Sequence, residues 1–365
     1  MDTATATPRR RPRAASARAT SRSRQRAPRS RRPRRRRPEM SFLRRHKAMS
    51  ALGGLIALLL LVTTGWVIYL NQQVGNIPHF HVPSLERPDR PDRVKGDGMN
   101  ILLIGADDGH GADVRDMLAS GHWTPGRMRS DTMMVWHLSA DRKTSQLVSL
   151  PRDSWVPIPG YGTQKLNAAF SYGGPSLLTQ TLEEDFNVFI DHIAIVDFDG
   201  FKGVTNALGG VTVSIDGSPE TIKGEEALAY VRVRKTLPGG DFDRIRRQQN
   251  FLRAIVAKLK DNGTLLNPIK LTRLVHNLGG LIAVDDNLTT GTIRGLAIDI
   301  AKSRGGQVSY LTAPTHGTAM VGAASTVTLD IAQTTALFKA ISNDDYAAYK
   351  AENTIDALPS PDSVH

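Results

Sequence analysis

The sequence predicts an α/β fold: an α/β/α sandwich with a mixed central sheet, forming a single extracytoplasmic domain behind one N-terminal transmembrane helix. Three observations carry that expectation. Between residues 99 and 345, short apolar runs bounded by Gly, Pro or Asp alternate with segments that read as helices, the pattern of strands sandwiched between helical layers. Residues 51–70, ALGGLIALLLLVTTGWVIYL, hold no charged side chain, and 20 helical residues rise about 30 Å, the thickness of a hydrocarbon core. The charge is also split along the chain. Residues 1–50 carry 17 Arg and one Lys against Asp2 and Glu39, which is +16 and leaves −4 on the other 315 residues of a chain of net charge +12.

The apolar run follows an arginine-rich flank, and Trp66 and Tyr69 lie at its far end, where aromatic rings settle at an interface. It is longer than a signal-peptide core and no A-x-A-like cleavage site follows. The expectation is a retained signal anchor over 49–70, single-pass in the cell membrane, with a cytoplasmic N-terminus. Residues 1–48 are Arg, Pro, Ala and Ser with few apolar side chains. They read as a disordered cytoplasmic tail attracted to anionic membrane lipids. On this topology the arginines further along face no nucleic acid. Residues 71–98, with RPDRPDR, read as a Pro-rich tether. The absence of cysteine excludes thiol catalysis, thiolate zinc sites and disulfides.

The elements follow in order. MNILLIGAD is a buried strand ending at Asp107, and 108–130 is a long loop. DTMMVWHL (131–138) and SQLVSLP (145–151) form a hairpin through SADRKT. KLNAAFSYGG is a helix stopped by Gly173 and Gly174, and PSLLTQTLEEDF is a second helix opened by Pro175. HIAIVDF is a strand, FDGFKGVTNALGG a helix closed by Gly209 or Gly210, and VTVSI a strand. A helix starts after PGG with Asp241 as its N-cap and runs to about Lys260. Helices near 267–278 and 288–303, a strand at 307–312 and a helix near 328–342 complete the domain. Residues 346–365 read as a disordered tail.

Two groups of side chains could carry chemistry. Asp107 closes the first strand, and ligands of α/β sheets gather beyond such carboxyl ends. Asp131 opens the next strand, and Arg152 follows the strand antiparallel to it, so the two should be neighbours at the open end of the hairpin. Carboxylates on separate strand ends can hold Mg²⁺, with Mn²⁺ as the alternative. Asp131 and Arg152 can equally be an ion pair that closes a strand end. The second group is YVRVRKTLPGGDFDRIRRQQN (230–250), with five arginines and a lysine. As a strand, VRVR puts Arg232 and Arg234 on one side. On the following helix Asp241, Arg244, Arg247 and Gln248 keep the 3–4 spacing of one face, and Arg246 points elsewhere. Guanidinium forks grip phosphate, and several of them aimed at one place imply a diphosphate. The bland alternative is a solvated basic face. His110, Asp113, Asp116 and His122 lack the regular spacing of a zinc site, and Ser154 sits on no nucleophile elbow.

RSDTMMVWHLSADRKTSQLVSLPRDSWVPIPG, KLNAAFSYGG, DHIAIVDFDGFKGVTNALGGVTVSI and GEEALAYVRVRKTLPGGDFDRIRRQQ, in that order, closely resemble the LytR-CpsA-Psr family. The likeness runs from Asn100 to Lys260 and more weakly to about 340. It implies a phosphotransferase, with 99–345 as its catalytic domain, that moves a glycopolymer from a polyprenyl-pyrophosphate carrier to peptidoglycan. It further implies that Asp107 and Asp131 hold Mg²⁺ and that Arg152, Arg232, Arg234 and Arg244 grip the pyrophosphate. Lys165 and Gln248 would sit beside the phosphate or first sugar, Asp241 and Arg247 would support the same face, and the lipid would lie in an apolar tunnel. Relatives often carry Arg two residues after the first Asp. Here that residue is Gly109, and Arg115, Arg127 or Arg129 is the expected substitute. The alternatives are a hydrolase using the same site, and a regulator acting through the Arg-rich tail.

Overall fold

The structure, a computed structural model, describes residues 75–93, 96–107, 114–234, 236–261, 280–302 and 307–364, with single positions at 272 and 276 and between 60 and 72. The first half of the domain contains β1 (His79–Phe80), β2 (Met99–Asp107), α1 (Val114–Ala119), β3 (Arg129–Leu138), β4 (Thr144–Ser149), β5 (Trp155–Ile158), β6 (Gly162–Lys165) and α2 (Leu166–Phe186). Then come β7 (His192–Val196), α3 (Phe198–Ala207), β8 (Val211–Ile215), β9 (Ser218–Ile222), α4 (Gly224–Arg232) and α5 (Asp241–Asp261). The last part holds β10 (Ile282–Asp285), α6 (Thr290–Lys302), β11 (Gln307–Thr312), β12 (Thr315–Val321), β13 (Ala324–Leu329), α7 (Ile331–Ser342) and α8 (Tyr346–Glu352).

Seven strands form the central sheet in the order β1-β10-β7-β2-β3-β4-β11. The sheet is mixed, as expected: β7 runs parallel to β2, whereas β3 is antiparallel to both β2 and β4. Period-two alternation sends neighbouring side chains to opposite faces. Leu102, Met133, Val135 and Ile193 join α2 and α7 in one core, with Phe170, Leu182, Phe186 and Phe338 fully buried. Each buried aromatic there is worth about 3–5 kcal/mol against alanine. On the other face Met134 and Leu147 pack beneath Leu252 of α5.

Helix α2 shows why its motif contains paired glycines. Backbone angles at Gly173 (φ −131°) and Gly174 (φ 65°) break the helical path before Pro175, so the two expected helices run on as one with a kink. A Cβ at Gly174 would lie 2.7 Å from the Trp123 ring. Only glycine lets Trp123 close against the bend, where its Nε1 donates to Ser171 O at 3.1 Å.

Several expectations need correction. Among the described residues no helix is long and apolar enough to cross a membrane. The longest of those helices, α2 and α5, both carry several charged side chains. The transmembrane anchor, the single-pass topology and the outward placement derived from it are therefore not carried forward. Most of 49–70, and all of 1–48, lie outside the described residues.

The segment read as a tether is in part built into the domain. Strand β1 pairs with β10, and Arg87 and Arg90 both reach the buried carboxylate of Glu183 on α2, at 3.3 and 2.7 Å. Beyond 345 lies α8, after which Leu358 N donates to Tyr310 O and Arg253 Nη1 to Pro359 O. The expected strand VRVR (231–234) is instead the end of α4 and the loop beyond it, because Ala227, Leu228 and Val231 follow helical spacing and bury against Val211 and Phe251. The expected helix 267–278 falls mostly outside the described residues.

Candidate functional site

The site is built where β2 and β3 end. Gly105 faces Thr132, but Ala106 faces Ser130 and Asp107 faces Arg129, so Asp131 is the extra residue of a β-bulge. Gly105 permits the close approach: a Cβ there would be 2.9 Å from Thr132 Cβ. The bulge resets the alternation. Met133 enters the core beneath α2, while Asp131 and the adjacent Thr132 both line the opposite side.

Leu150 N bonds Met133 O at 2.9 Å and closes the β3–β4 hairpin. Two residues on, Arg152 Nη1 donates to Asp131 Oδ1. Arg152 Nε lies 3.6 Å from Asp153 Oδ2 and 3.8 Å from Asp241 Oδ1, and Lys165 Nζ is 2.9 Å from Asp153 Oδ1. From the first turn of α5, Arg244 Nη2 reaches Asp241 Oδ1 at 2.9 Å and Oδ2 at 3.1 Å. Arg232, the last residue of α4, lies 3.7 Å from Asp107 Oδ2 and packs over the Phe198 ring at 4.2 Å.

Beside these groups lies an open polar cavity of ≈ 500 Å³. Its charged walls are Arg129, Arg152, Lys165, Arg232, Arg234 and Arg244 against Asp107, Asp131 and Asp153, a surplus of cations suited to a multivalent anion. The buried Nε–H groups of Arg152 and Arg244 have no hydrogen-bond partner. Unpaired buried donors are costly, and phosphate oxygens would satisfy them. Burial works against the Arg152 cation, but Asp131, Asp241 and Asp153 outweigh it and raise its pKa above the ordinary value. For Arg244 burial wins, with Arg152 and Arg234 adding repulsion, and its pKa is lowered despite Asp241 and Asp131. A bound anion would relieve that stress.

A second cavity of ≈ 320 Å³ lies between the sheet and α3, α4 and α5. Leu103, Met134, Phe201, Val204, Leu228 and Ile255 make its walls apolar. Asp131, Arg232 and Arg244 line both cavities, so the charged pocket adjoins the apolar cleft.

Residues 79–341 match the LytR_cpsA_psr family. The chain belongs to that family. Among its relatives is the probable cell wall biosynthesis protein LcpB of Corynebacterium glutamicum, 36% identical over 58% of this chain and 53% of that one. Another is the polyisoprenyl-teichoic acid–peptidoglycan teichoic acid transferase TagU of Oceanobacillus iheyensis, 31% identical over 69% of this chain and 87% of that one. The chain thus spans about half the length of LcpB and most of TagU. Among solved structures, TagT bound to LIIa-WTA is similar with a TM-score of 0.54 and 25% identity, covering 73% of this chain and 99% of that one. TagV of B. subtilis is similar with a TM-score of 0.55 and 26% identity, over 68% and 98%.

Within this LytR_cpsA_psr domain, Asp107, Asp131, Arg129, Arg152, Lys165, Arg232, Arg234 and Arg244 all line the polar pocket. Asp241 stands behind it, on Arg152 and Arg244. It is the first residue of α5, and its carboxylate serves these arginines; the expected N-cap role is not seen. Gln248 lines the apolar cleft instead. Arg247 is elsewhere. It stacks 4.7 Å over Tyr230 and lines a separate groove behind α4. From Arg244, three helical steps rotate the side chain about 60° one way and four steps about 40° the other, which separates Arg247 from Gln248. Arg246 does point away, pairing with Asp243 at 3.1 Å and Asp356 at 3.8 Å.

Of the proposed substitutes for the missing arginine, Arg129 reaches the pocket, whereas Arg115 lies against Asp197 and Gly280. Gly109, His110 and Asp113 lie outside the described residues. Ser154 is buried, donating to Pro151 O at 2.6 Å. The sequence reading missed Asp153, Asn167, Ser171 and Tyr172. The 167–171 spacing on α2 and the carboxylate beside Arg152 were the available signals.

Proposed function

We propose that the chain transfers a glycopolymer from a polyprenyl-pyrophosphate carrier to peptidoglycan. The observation that carries the reading is the junction at Asp131, Arg232 and Arg244, where a cationic pocket meets an apolar cleft. A diphosphate bearing a hydrocarbon chain on one side needs that pairing. Family membership and the name of TagU support the class of donor and acceptor.

In the proposed reaction an acceptor hydroxyl oxygen attacks the phosphorus that carries the glycopolymer. The bond from that phosphorus to the bridging oxygen breaks, and its electron pair leaves with polyprenyl phosphate. The hydroxyl proton passes to a pocket carboxylate, Asp107 or Asp131; Asp241, behind the pocket, is held by Arg152 and Arg244. Arg232 and Arg244, at the junction, stand where charge gathers on the leaving phosphate. Arg129, Arg152, Arg234 and Lys165 orient the other phosphate.

The donor set also fits Mg²⁺ or Mn²⁺. Asp107 and Asp131 are hard oxygen donors facing one water-accessible pocket. No group of three or more His, Asp or Glu able to hold a metal occurs among the described residues, and Mg²⁺ takes few carboxylates, filling its shell with water and phosphate oxygens. When bound, the ion would neutralise charge on the diphosphate.

The test is a reconstituted transfer from a polyprenyl-pyrophosphate-linked, radiolabelled oligosaccharide, with Mg²⁺, with and without peptidoglycan oligomers. Label should enter peptidoglycan as polyprenyl phosphate appears. Asp107→Ala and Asp131→Ala should each slow transfer about 100-fold or more while the melting temperature holds within a few degrees. Carrier cleavage at an equal rate without acceptor would make the protein a hydrolase. Full activity of either variant would remove the metal pair.

A further inference from the structure

The part of the polar pocket away from the apolar cleft is walled by the first turns of α2, through Asn167, Ser171 and Tyr172. None of these lines the cleft. Beside them stands the β5–β6 hairpin. Its turn holds Tyr161 between Gly160 (φ 78°) and Gly162 (φ 68°), both left-handed, so the ring is carried at the tip and is 47% exposed. The ring is nonetheless fixed. It stacks on Tyr172 with centroids 4.7 Å apart and planes inclined by 23°. Tyr172 Oη donates to Gln164 Oε1 at 2.9 Å, and Gln164 Nε2 donates to Tyr161 O at 3.0 Å. Hairpin and helix are thereby locked together, with one aromatic ring at the pocket wall and the other presented to solvent.

We propose that Tyr161 and Tyr172 form the platform on which the acceptor glycan lies, an N-acetylhexosamine chain whose attacking hydroxyl passes Tyr172 into the pocket. This rests on the transfer reading above. An in-line displacement places the attacking oxygen across phosphorus from the leaving oxygen. The leaving polyprenyl phosphate belongs to the cleft end, at Asp131, Arg232 and Arg244. The attacking hydroxyl therefore enters from the α2 end. A pyranose ring offers a face of C–H groups to an aromatic ring and polar edges to hydrogen-bonding groups. Tyr161 supplies the first surface, and Asn167 and Ser171, on the pocket wall with Tyr172, supply amide and hydroxyl groups. The first sugar of the donor has the same chemistry and is attached to the same phosphorus, so the experiment must separate the two.

Two measurements on the full chain do so. One is steady-state transfer to a soluble, uncrosslinked peptidoglycan oligomer, varying donor and acceptor separately. The other is equilibrium titration with chitotetraose, followed by ligand-observed NMR. Tyr161→Ala should raise the acceptor KM about ten-fold, move the donor KM less than two-fold, and abolish chitotetraose binding. Tyr161→Trp should restore both. A rise in donor KM with the acceptor KM unmoved gives the platform to the donor sugar and overturns the proposal. Unchanged kinetics and titration also overturn it, leaving the stack as a clamp between hairpin and helix. If the wild-type chain does not transfer to peptidoglycan at all, the transfer reading fails by itself. The titration then decides alone: chitotetraose binding that Tyr161→Ala removes keeps the glycan platform, and no binding overturns it.

Discussion

Replacing Arg244 by lysine separates charge from geometry at the centre of the site. The side chain is 4% exposed, with Nη2 on Asp241 and a buried Nε–H lacking a partner. Lysine keeps the cation but loses the planar fork and the Nε–H. One charge-assisted hydrogen bond is worth about 1.5–3 kcal/mol, and about 1.4 kcal/mol is a factor of ten. Arg244→Lys should therefore weaken binding of geranyl pyrophosphate about ten- to hundred-fold in calorimetric titrations at fixed ionic strength. The control lies only two residues on, about 200° around the helix. Arg246 is 38% exposed at its side chain and pairs with Asp243 and Asp356 outside the pocket. Arg246→Lys should change affinity less than about two-fold and stability by under about 1 kcal/mol. Equal losses for the two variants, with both proteins folded, would refute the assignment of the α5 face.

Two further outcomes follow from the cleft and the core. Val204→Trp should narrow the apolar cleft, weakening a long-chain polyprenyl pyrophosphate more than inorganic pyrophosphate; equal effects on both probes would mean the chain lies elsewhere. Burial, with Glu184 adding to it, raises Asp185 from 3.8 to about 7, and its Oδ2 is buried without a partner. A raised carboxyl pKa supports the fold fully below the unfolded value and loses that support as pH rises through about 7. The shift, discounted for partial exposure, is worth about 1–2 kcal/mol, so Asp185→Asn should raise Tm by about 2–6 °C at pH 8 and little at pH 4. A gain that is the same at both pH values would show that ionisation is not the cause.

What could be read in the sequence follows the range over which each feature is decided. Strands β2, β3, β4 and β7 and helices α2 and α5 were legible because their apolar period is local. Asp107, Asp131 and Arg152 were legible because a hairpin returns its ends to one place. Residues 231–234 misled because alternation over four residues also suits a helix end, and burial of Ala227, Leu228 and Val231 decided the matter. Arg232 and Arg234 still meet at the pocket, one closing α4 and the other in the loop beyond it. Strand β1 and the segment around Leu358 gain their order from partners about 200 and 50 residues away, which no local pattern reveals. Lys165 was placed only by resemblance, and the Asp153 carboxylate that holds it was overlooked.

The bulge at Asp131 makes the site more sensitive to chain length than to residue type. Along most of β3 a substitution alters one contact and leaves the ladder in place. Loss of Ser130 would straighten that ladder and reverse the facing of the acid, with the strands still paired and Met133 still in the core. Surface loops absorb insertions and deletions more readily than strands do. Here one residue of length determines whether a carboxylate faces the cationic pocket or the apolar core.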